Sequence, residues 1–316
     1  MKRILVFSLA YHPFVGGAEI AVKEITDRIG EGEITFDMIT LRYDSRLPRV
    51  ERVGNVMVHR IGFTRRAPSP ADLKRFPLHY NKFLYQFLAP LWASFLHWRN
   101  SYDAVWAIMA HSAGVPAALF TFFHPSVPLI LTLQEGDPLA HIRKKVLPAL
   151  PFVKRAFRRA AVVQAISSFL GAWARDMGFM GELFIIPNGV DVKLFSSPAG
   201  VGRQALLKKL HKLEGDLFLI TISRLVPKNA VADLIEALRF LPKNVKLMIV
   251  GDGPLKDALG LQAARSDVQD RALFLGQVDH AELPAYLQLS DIFIRPSLSE
   301  GMGNVFIEAM AAGVPV

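Results

Sequence analysis

The stretch from Arg295 to Gly313 has the sequence RPSLSEGMGNVFIEAMAAG. The apolar run before it, Ile292–Ile294, predicts a short buried strand, and the residues Gly303–Ala312 predict a helix. The loop between them contains two glycines. In a doubly wound α/β sheet, a loop at the carboxyl end of a strand faces the ligand crevice. The stretch therefore predicts one strand–loop–helix unit of such a sheet.

The rest of the chain alternates between strand and helix patterns in the same way. Short apolar runs predict strands at Ile4–Leu9, Phe36–Leu41, Val56–Ile61, Ala104–Met109, Leu129–Leu133, Ala161–Ile166, Leu217–Ile222, Val245–Val250 and Ala272–Leu275. Helical patterns lie between most of them, including Val231–Phe240, Glu282–Leu289 and one that begins at Ala18. Short apolar strands joined by helices are typical of parallel sheets covered on both faces. We therefore predict an α/β protein with two Rossmann-like, doubly wound domains that face each other across a cleft.

Turn residues divide the strands into two series. Pro187-Asn188-Gly189 opens a segment that has an Asn-Gly turn, a Ser-Ser-Pro sequence and a charged helical pattern. We predict an N-terminal domain over 1–186, an interdomain linker over 187–214 and a C-terminal domain over 215–316. Because Gly313-Val314-Pro315-Val316 resembles a helix stop followed by the start of a strand, we expect the second domain to be incomplete at its C-terminus.

The loop and helix after Arg295 favour an anion site. Gly301 and Gly303 let the backbone approach an anion closely, and the N–H groups of Asn304 and Val305 would hold phosphate oxygens at the helix N-terminus. Glu308 falls among apolar residues, where a carboxylate needs hydrogen-bond donors such as a ribose diol. On spacing alone, an ordinary helix start with one capping acid is an equal alternative, because neither G-x-G-x-x-G nor a Walker lysine is present.

Composition limits the class of protein. The 316 residues are 51% hydrophobic, carry a formal net charge of +9 and include no cysteine. A buried core and an anionic partner are expected, whereas disulfides, thiolate metal sites and a cysteine nucleophile are excluded. No nucleic-acid-binding module is recognisable, so we expect no nucleic acid partner. The absence of cysteine is compatible with a reducing cytoplasm.

Positive charge is concentrated in two segments. Between His59 and Asn100, seven arginines and lysines are opposed by one acid, Asp72, and between His141 and Ala160 there are seven more and no acid. Both segments are interleaved with Phe and Leu, and the first also with Trp. Two interpretations are open: the segments make peripheral contact with an acidic membrane, or they are helix faces exposed to solvent.

Neither a signal peptide nor a membrane span is predicted. The apolar run Ile4–Ala10 is short and has no small-residue cleavage site after it. The longest uncharged stretch, Ala104–Gln134, is broken by three prolines into pieces of strand and short-helix length.

Glu300 and Glu308, with seven residues between them, resemble the E-x7-E signature of the family 4 retaining glycosyltransferases of the GT-B fold. Four other segments resemble motifs of that family, in the family's order, and together they span most of the chain. They are the N-terminal glycine loop Tyr11–Glu19, the interdomain segment Ile186–Asp191, the basic turn Ser223–Asn229 and the strand–turn Val250–Pro254.

The resemblance implies a role for each matching position of the second domain. Glu308 would bind the donor ribose and Glu300 would face the transferred sugar. Arg224 and Lys228 would neutralise the diphosphate as it leaves. The donor phosphates would contact the backbone of Gly251, Gly301, Gly303, Asn304 and Val305.

In the first domain the resemblance implies a second set of contacts. Gly16 and Gly17 would let the first helix approach the diphosphate or the acceptor. Many family members have a histidine at the place of Gln134, which can hydrogen-bond a sugar but cannot titrate. Gln134 is our catalytic candidate there, and Glu135 and Asp137 either assist it or are solvated loop acids. For His111 and His12 we expect packed or solvated loop residues.

The basic turn also departs from the family pattern. The family often places a lysine where this chain has Asn229, and Lys228 comes one position earlier. We therefore keep Lys228 as the second cation of the predicted site.

The implied activity is a retaining transfer from a UDP- or GDP-sugar to a hydroxyl of a glycan or lipid-linked acceptor. Its setting would be cell-envelope polysaccharide or glycolipid biosynthesis, in the cytoplasm or peripherally on the inner face of the membrane. No Asp-x-Asp occurs, so we expect no metal and no other cofactor. The alternatives are a non-catalytic nucleotide-sugar-binding fragment and another GT-B enzyme, such as a phosphorylase or a sugar-nucleotide epimerase.

Overall fold

A computed structural model describes residues 1–14, 16–30, 32–69, 71–197, 206, 207, 210 and 213–316. The chain forms two compact units, Met1–Asn188 and Gly189–Val316. Val15 of the predicted glycine loop lies outside the described residues, as do residues 198–205, 208, 209, 211 and 212 of the predicted linker.

In the first unit the described residues form an eight-stranded sheet with the order β3-β4-β2-β1-β5-β6-β7-β8. The strands are β1 (Lys2–Phe7), β2 (Ile34–Leu41), β3 (Val50–Val53), β4 (Val56–Ile61), β5 (Ala104–Ile108), β6 (Leu129–Leu133), β7 (Ala160–Ala165) and β8 (Glu182–Ile185). The helices are α1 (Gly17–Asp27), α2 (Asn81–Asn100), α3 (Val115–Phe123), α4 (Leu139–Val146), α5 (Leu150–Arg159) and α6 (Ser168–Asp176). The central strands are the most apolar because helices cover both of their faces.

The second unit has a smaller parallel sheet, formed by the described residues in the order β11-β10-β9-β12. Its strands are β9 (Leu217–Ile222), β10 (Val245–Val250), β11 (Ala272–Gly276) and β12 (Ile292–Phe293). Its helices are α7 (Val192–Ser196), α8 (Val231–Leu238), α9 (Lys256–Arg265), α10 (Leu283–Leu287) and α11 (Asn304–Ala311). Alternate residues of β10 enter different cores: Met248 packs in one cluster and Ile249 in another. Both faces of this sheet are therefore covered, as a doubly wound unit requires.

These two units confirm the predicted α/β class with Rossmann-like sheets. One strand pairs differently from the expected parallel pattern, because β3 runs antiparallel to β4. Only Gly54 and Asn55 separate these strands, and so short a connection can join only antiparallel neighbours.

The uncharged stretch Ala104–Gln134 forms β5, a π-helical turn at Ala110–Gly114, α3 and β6. None of the helices in the described part of the chain combines the length and the apolar character that a bilayer crossing needs.

Candidate functional site

The loops after β9, β10 and β12 bring most of the predicted site residues of the second unit together. Parallel strands end at the same edge of a sheet, so Arg224, Gly251 and Glu300 follow three neighbouring strand ends. The Leu298 N–H donates to the carbonyl oxygen of Lys228 at 2.8 Å. This hydrogen bond joins the loop that carries Glu300 to the turn that carries the two predicted cations.

Glu308 has a buried carboxylate with one oxygen that lacks a donor. It lies in α11 and is 6% exposed. Its Oε1 lies 3.0 Å from Nε2 of His280, whereas Oε2 has no hydrogen-bond partner among the described residues. A buried acceptor without a donor costs free energy, and a hydroxyl of a ligand would remove that cost.

Arg295 is the buried cation of this site. Its Nη2 lies 2.7 Å from Oε2 of Glu300, an ionic contact without hydrogen-bond geometry. Its Nε donates to Oγ of Ser297 at 3.0 Å, and its Nη2 approaches Oδ1 of Asn229 at 3.4 Å. Burial lowers the pKa of the guanidinium, while the negative charges of Glu300 and Glu308 act in the opposite direction. Glu300 thus has a fixed cationic neighbour within its own unit.

The basic turn is held by Asn229. This side chain is buried, and its Nδ2 donates to the carbonyl oxygen of Arg224 at 2.6 Å. The side chain of Arg224 is exposed and that of Lys228 is half-buried. Asn229 therefore has a structural contact at the position where the family pattern has a lysine, and Arg224 and Lys228 are the cations of this turn.

Two glycines at this edge have positive φ and leave no room for a Cβ. Gly251 has φ +126°, and a Cβ there would lie 2.0 Å from the carbonyl oxygen of Ser223. Gly303 has φ +74°, and a Cβ there would lie 2.8 Å from the ring of Phe306. Gly303 is the N-cap of α11, so the helix opens directly after it.

The remaining predicted donor contacts of this unit lie around that helix start. Gly301 is buried in the loop, and α11 begins with Asn304 and Val305. The positive end of the helix dipole and the first-turn N–H groups favour an anion at this position.

The predicted glycine loop of the first unit follows β1. Gly16 and Gly17 are exposed, and the Gly16 N–H donates to Oε2 of Glu19 at 2.7 Å. Tyr11, at the start of the loop, is buried, and burial raises its pKa to about 12. The loop therefore combines a buried aromatic anchor with an exposed glycine backbone where α1 begins.

Gln134 and Glu135 follow β6 and are both buried. Oε1 of Gln134 accepts a hydrogen bond from Nδ2 of Asn188 at 3.3 Å. Oε1 of Glu135 accepts from the Ala110 N–H at 2.7 Å and lies 3.3 Å from Nδ1 of His111, whereas its Oε2 has no partner among the described residues. Of the two alternatives for Glu135, the solvated loop acid is therefore wrong, because the side chain is buried and accepts a hydrogen bond from the Ala110 N–H.

The sequence pattern did not single out Arg295 or His280. A cation directly after an apolar strand is a signal for Arg295, since a buried charge needs an acidic partner. His280 gives no local signal, because it lies 28 positions before Glu308 and only the fold brings the two side chains together.

Two family models match the chain. The model described as "Glycosyl transferase 4-like domain" matches residues 16–189, more than half of the chain, and the model described as "Glycosyl transferases group 1" matches residues 202–316.

Two curated relatives illustrate the range of similar proteins. TuaC of Bacillus subtilis, described as a glycosyltransferase of teichuronic acid biosynthesis, is 31% identical over 217 residues, which are 68% of this chain and 52% of TuaC. A GDP-mannose-dependent α-(1-6)-phosphatidylinositol monomannoside mannosyltransferase of Mycobacterium tuberculosis is 34% identical over 183 residues, 53% of this chain and 47% of the relative. The chain spans about half the length of these relatives.

Among solved structures, HepE of Anabaena in complex with UDP-glucose superposes with a TM-score of 0.74 at 24% identity. The match covers 100% of this chain and 80% of HepE. At this identity the likeness establishes the fold.

Proposed function

The chain belongs to the glycosyl transferase 4-like, group 1 family, and from this premise we propose that it transfers a sugar from a nucleoside-diphosphate-sugar to an acceptor hydroxyl. In our proposal the second unit holds the donor, and the first unit contributes to the acceptor side. The proposed acceptor is a glycan or a lipid-linked molecule.

The observation that carries the proposal is the buried Oε2 of Glu308. It lacks a donor among the described residues, and its partner oxygen already contacts His280. A ribose diol supplies hydroxyl donors to such a carboxylate, and hydrogen bonds to a charged group stabilise by about 1.5–3 kcal/mol. We therefore assign Glu308 to the donor ribose.

The phosphate side of the proposed site needs positive charge. Arg224 and Lys228 supply it from the turn after β9, and the N-terminus of α11 supplies amide donors near Gly303. Groups fixed in this way stabilise the charge that grows on a leaving diphosphate. We propose that they act without a metal ion.

The proposed reaction breaks the bond between the anomeric carbon and the diphosphate oxygen. The acceptor oxygen forms a bond to the same carbon from the same face, and nucleoside diphosphate and a proton are released. This retaining outcome rests on the family resemblance. Glu300, oriented by Arg295, would face the transferred sugar, and Gln134, Gly16 and Gly17 would act from the first unit.

Two similar proteins suggest which class of donor and acceptor to propose for this chain. HepE is a complex with UDP-glucose, and the mycobacterial relative is GDP-mannose-dependent and acts on a phosphatidylinositol mannoside. We propose that this chain uses a UDP- or GDP-sugar in cell-envelope polysaccharide or glycolipid synthesis. We also propose that it acts in the cytoplasm, in contact with the anionic inner face of a membrane.

Calorimetric titration with UDP, GDP, UDP-glucose and GDP-mannose tests the donor assignment. One of these nucleotides should bind, and Glu308→Gln and Arg224→Gln should each weaken it by about 10-fold or more, since each loses a charge-assisted contact of about 1.5–3 kcal/mol. The exposed residues Glu282 and Arg265 provide matched controls as Glu282→Gln and Arg265→Gln. Equal affinity in all four variants would contradict the donor site.

Product analysis separates the enzyme from the alternatives. A transferase releases nucleoside diphosphate only when an acceptor or water takes the sugar. Donor binding without any release would favour the non-catalytic binder. Conversion of the donor to an isomer would favour an epimerase, and formation of a sugar phosphate from free phosphate would favour a phosphorylase.

A further inference from the structure

Helix α2 has an outer face of large apolar side chains that the described residues leave uncovered. One side of the helix packs into the core through Tyr85, Ala89, Ala93 and Leu96. The other side carries side chains that are each at least 39% exposed, Trp98 reaching 82%. They are Phe83, Phe87, Leu88, Leu91, Trp92, Phe95 and Trp98. A helix that is apolar on both sides is usually buried on both, so this face is suited to a partner.

Cations lie at both ends of this face. Lys82 and Arg99 lie at the two ends of α2, and the Arg99 guanidinium lies 5.6 Å from the centre of the Phe95 ring. In the described residues neither of these two side chains forms an ion pair with an acid. Such a distribution is complementary to a surface of one negative sign.

The second basic segment meets the first in space. Helix α2 packs against α3, α3 packs against α5, and α5 contacts α4. The Arg155 guanidinium of α5 lies 4.6 Å from the centre of the ring of Phe122, an exposed residue of α3. The two clusters that are separate in the sequence therefore form one surface, the α2 surface, made of α2, the end of α3, and the exposed sides of α4 and α5.

A cavity of about 380 Å³ opens beside the same surface. Trp92 of α2 lines it, together with Arg42, Arg49 and Arg60. Arg60 already forms an ion pair with Glu51, and Arg42 donates to the carbonyl oxygen of Leu47. Arg49 is exposed and has no ion pair or side-chain hydrogen bond within the described residues. This cavity suits the phosphate of a lipid whose acyl chains lie against the apolar face.

We propose that the α2 surface docks on the headgroup region of a bilayer that contains acidic phospholipids, with α2 parallel to the plane of the membrane. A helix of 20 residues extends about 30 Å along that plane. Exposed aromatic side chains enter the interface, and the arginine and lysine side chains contact the phosphates. A protein partner would need a surface that is both apolar and acidic, whereas an acidic bilayer supplies both properties everywhere.

The proposal rests on the membrane contact of the proposed function and names the surface that makes it, but it does not rest on sugar transfer. Lipid binding can be measured in the absence of any nucleotide. If lipid binding is not observed, the assignment of Glu308 to the donor still stands. If donor binding is not observed, the result on lipid binding still stands.

Vesicle co-sedimentation with the full chain tests the docking. Vesicles of phosphatidylglycerol and phosphatidylcholine should bind at least about 10-fold more tightly than vesicles of phosphatidylcholine alone, because each cation near an acidic surface contributes about 1 kcal/mol. Lys82→Glu with Arg155→Glu should remove most of this preference, and Arg49→Glu should reduce it. Lys243→Glu, at an exposed lysine of the second unit, is the matched charge control.

A second pair of substitutions tests the apolar side chains of the α2 surface. Leu91→Ser with Trp98→Ser should lower binding to acidic vesicles about 10-fold or more, since buried apolar area contributes strongly at the interface. Phe240→Ser, at a side chain that is 79% exposed in the second unit, should leave binding unchanged. Thermal unfolding of every variant verifies that the fold is retained.

Tryptophan fluorescence gives an independent readout. Trp92 and Trp98 lie on the α2 surface, whereas Trp106 and Trp173 are buried. Acidic vesicles should therefore shift the emission to the blue and protect it from iodide. Equal binding to neutral and acidic vesicles, or an unshifted emission at saturating acidic lipid, would overturn the proposal. A stable dimer that Trp98→Ser dissociates would overturn it in favour of a second copy as the partner.

Discussion

The guanidinium of Arg295 lies 2.7 Å from Oε2 of Glu300, and its side chain is only 11% exposed. The acid that we propose to face the transferred sugar is thus positioned by a residue five places earlier in the same loop. Arg295 also contacts Ser297 and Asn229, so one buried cation joins the loop after β12 to the turn after β9. Glu300 of the predicted site is therefore in contact with a cation outside the E-x7-E motif.

Arg295→Lys should damage both stability and turnover. Lysine keeps the charge but lacks the planar fork that reaches Glu300, Ser297 and Asn229 together. We expect the free energy of unfolding to fall by about 1–3 kcal/mol, and Arg295→Met to cost more because it leaves Glu300 without its cation. Urea unfolding and turnover measure the two effects. Arg239→Lys, at an exposed pair with Glu236, should change stability by less than about 0.5 kcal/mol. Unchanged unfolding in Arg295→Lys would contradict the positioning role.

Asn229 and Lys228 should respond differently to substitution. Asn229→Ala removes the 2.6 Å hydrogen bond to the Arg224 carbonyl and leaves that turn unsupported, so stability should fall by about 1–2 kcal/mol. Lys228→Gln should leave stability nearly unchanged and weaken donor binding, because our proposal gives Lys228 a role at the diphosphate. Denaturation curves and nucleotide titrations on the two variants separate these roles. The opposite pattern, with a stable Asn229→Ala and an unfolded Lys228→Gln, would reverse the assignment.

The strands were the most predictable part of the fold. β4, β6, β9 and β10 have the predicted bounds, because each is a mostly apolar run of five or six residues beside turn residues. β3 gave no such signal: two of its four residues, Val50–Val53, are charged, and it lies at an edge of the sheet. Its antiparallel direction follows from the short turn at Gly54 rather than from its composition.

A candidate site could be proposed from the sequence where backbone geometry and residue type coincide locally. The glycine loop, Glu308 and Arg224 follow from the resemblance and from their places at strand ends. The contacts that orient these residues were not predictable, because His280 and Arg295 act across loops that only the fold brings together. The burial of Glu135 likewise depends on the Ala110 amide, 25 positions earlier in the chain.

Gly251→Ala should be among the most damaging small substitutions. The new Cβ would lie 2.0 Å from the Ser223 carbonyl oxygen, and φ +126° is strained for alanine. The loss of stability should exceed about 1 kcal/mol, and the turn before Arg224 should shift. Gly260→Ala is the matched control, because Gly260 lies within α9 with nothing near its Cβ position. That control should be neutral or stabilise by up to about 1 kcal/mol. Equal melting temperatures for the two variants would contradict the close approach of the backbones.

His12 should make stability depend on pH. Burial lowers the pKa of this imidazole, the charges of Lys23 and Arg60 act in the same direction, and Asp27 opposes them. The folded state therefore binds fewer protons than the unfolded chain just below the ordinary pKa of 6.5. Stability supplied by neutral His12 is complete above that value and is lost as the pH falls toward the lowered pKa of the folded state.

The test compares the wild-type chain with His12→Gln by urea unfolding at pH 7, 6 and 5. Carboxylates also titrate in this range, so the informative quantity is the difference between the two proteins at each pH. We expect the wild type to lose more stability than His12→Gln as the pH falls, because only the wild type has to protonate this buried ring on unfolding. His79→Gln, at an exposed histidine, is the control for the loss of an imidazole. If the difference stays constant from pH 7 to pH 5, or if it changes sign so that acid favours the wild type, then burial does not lower the pKa of His12.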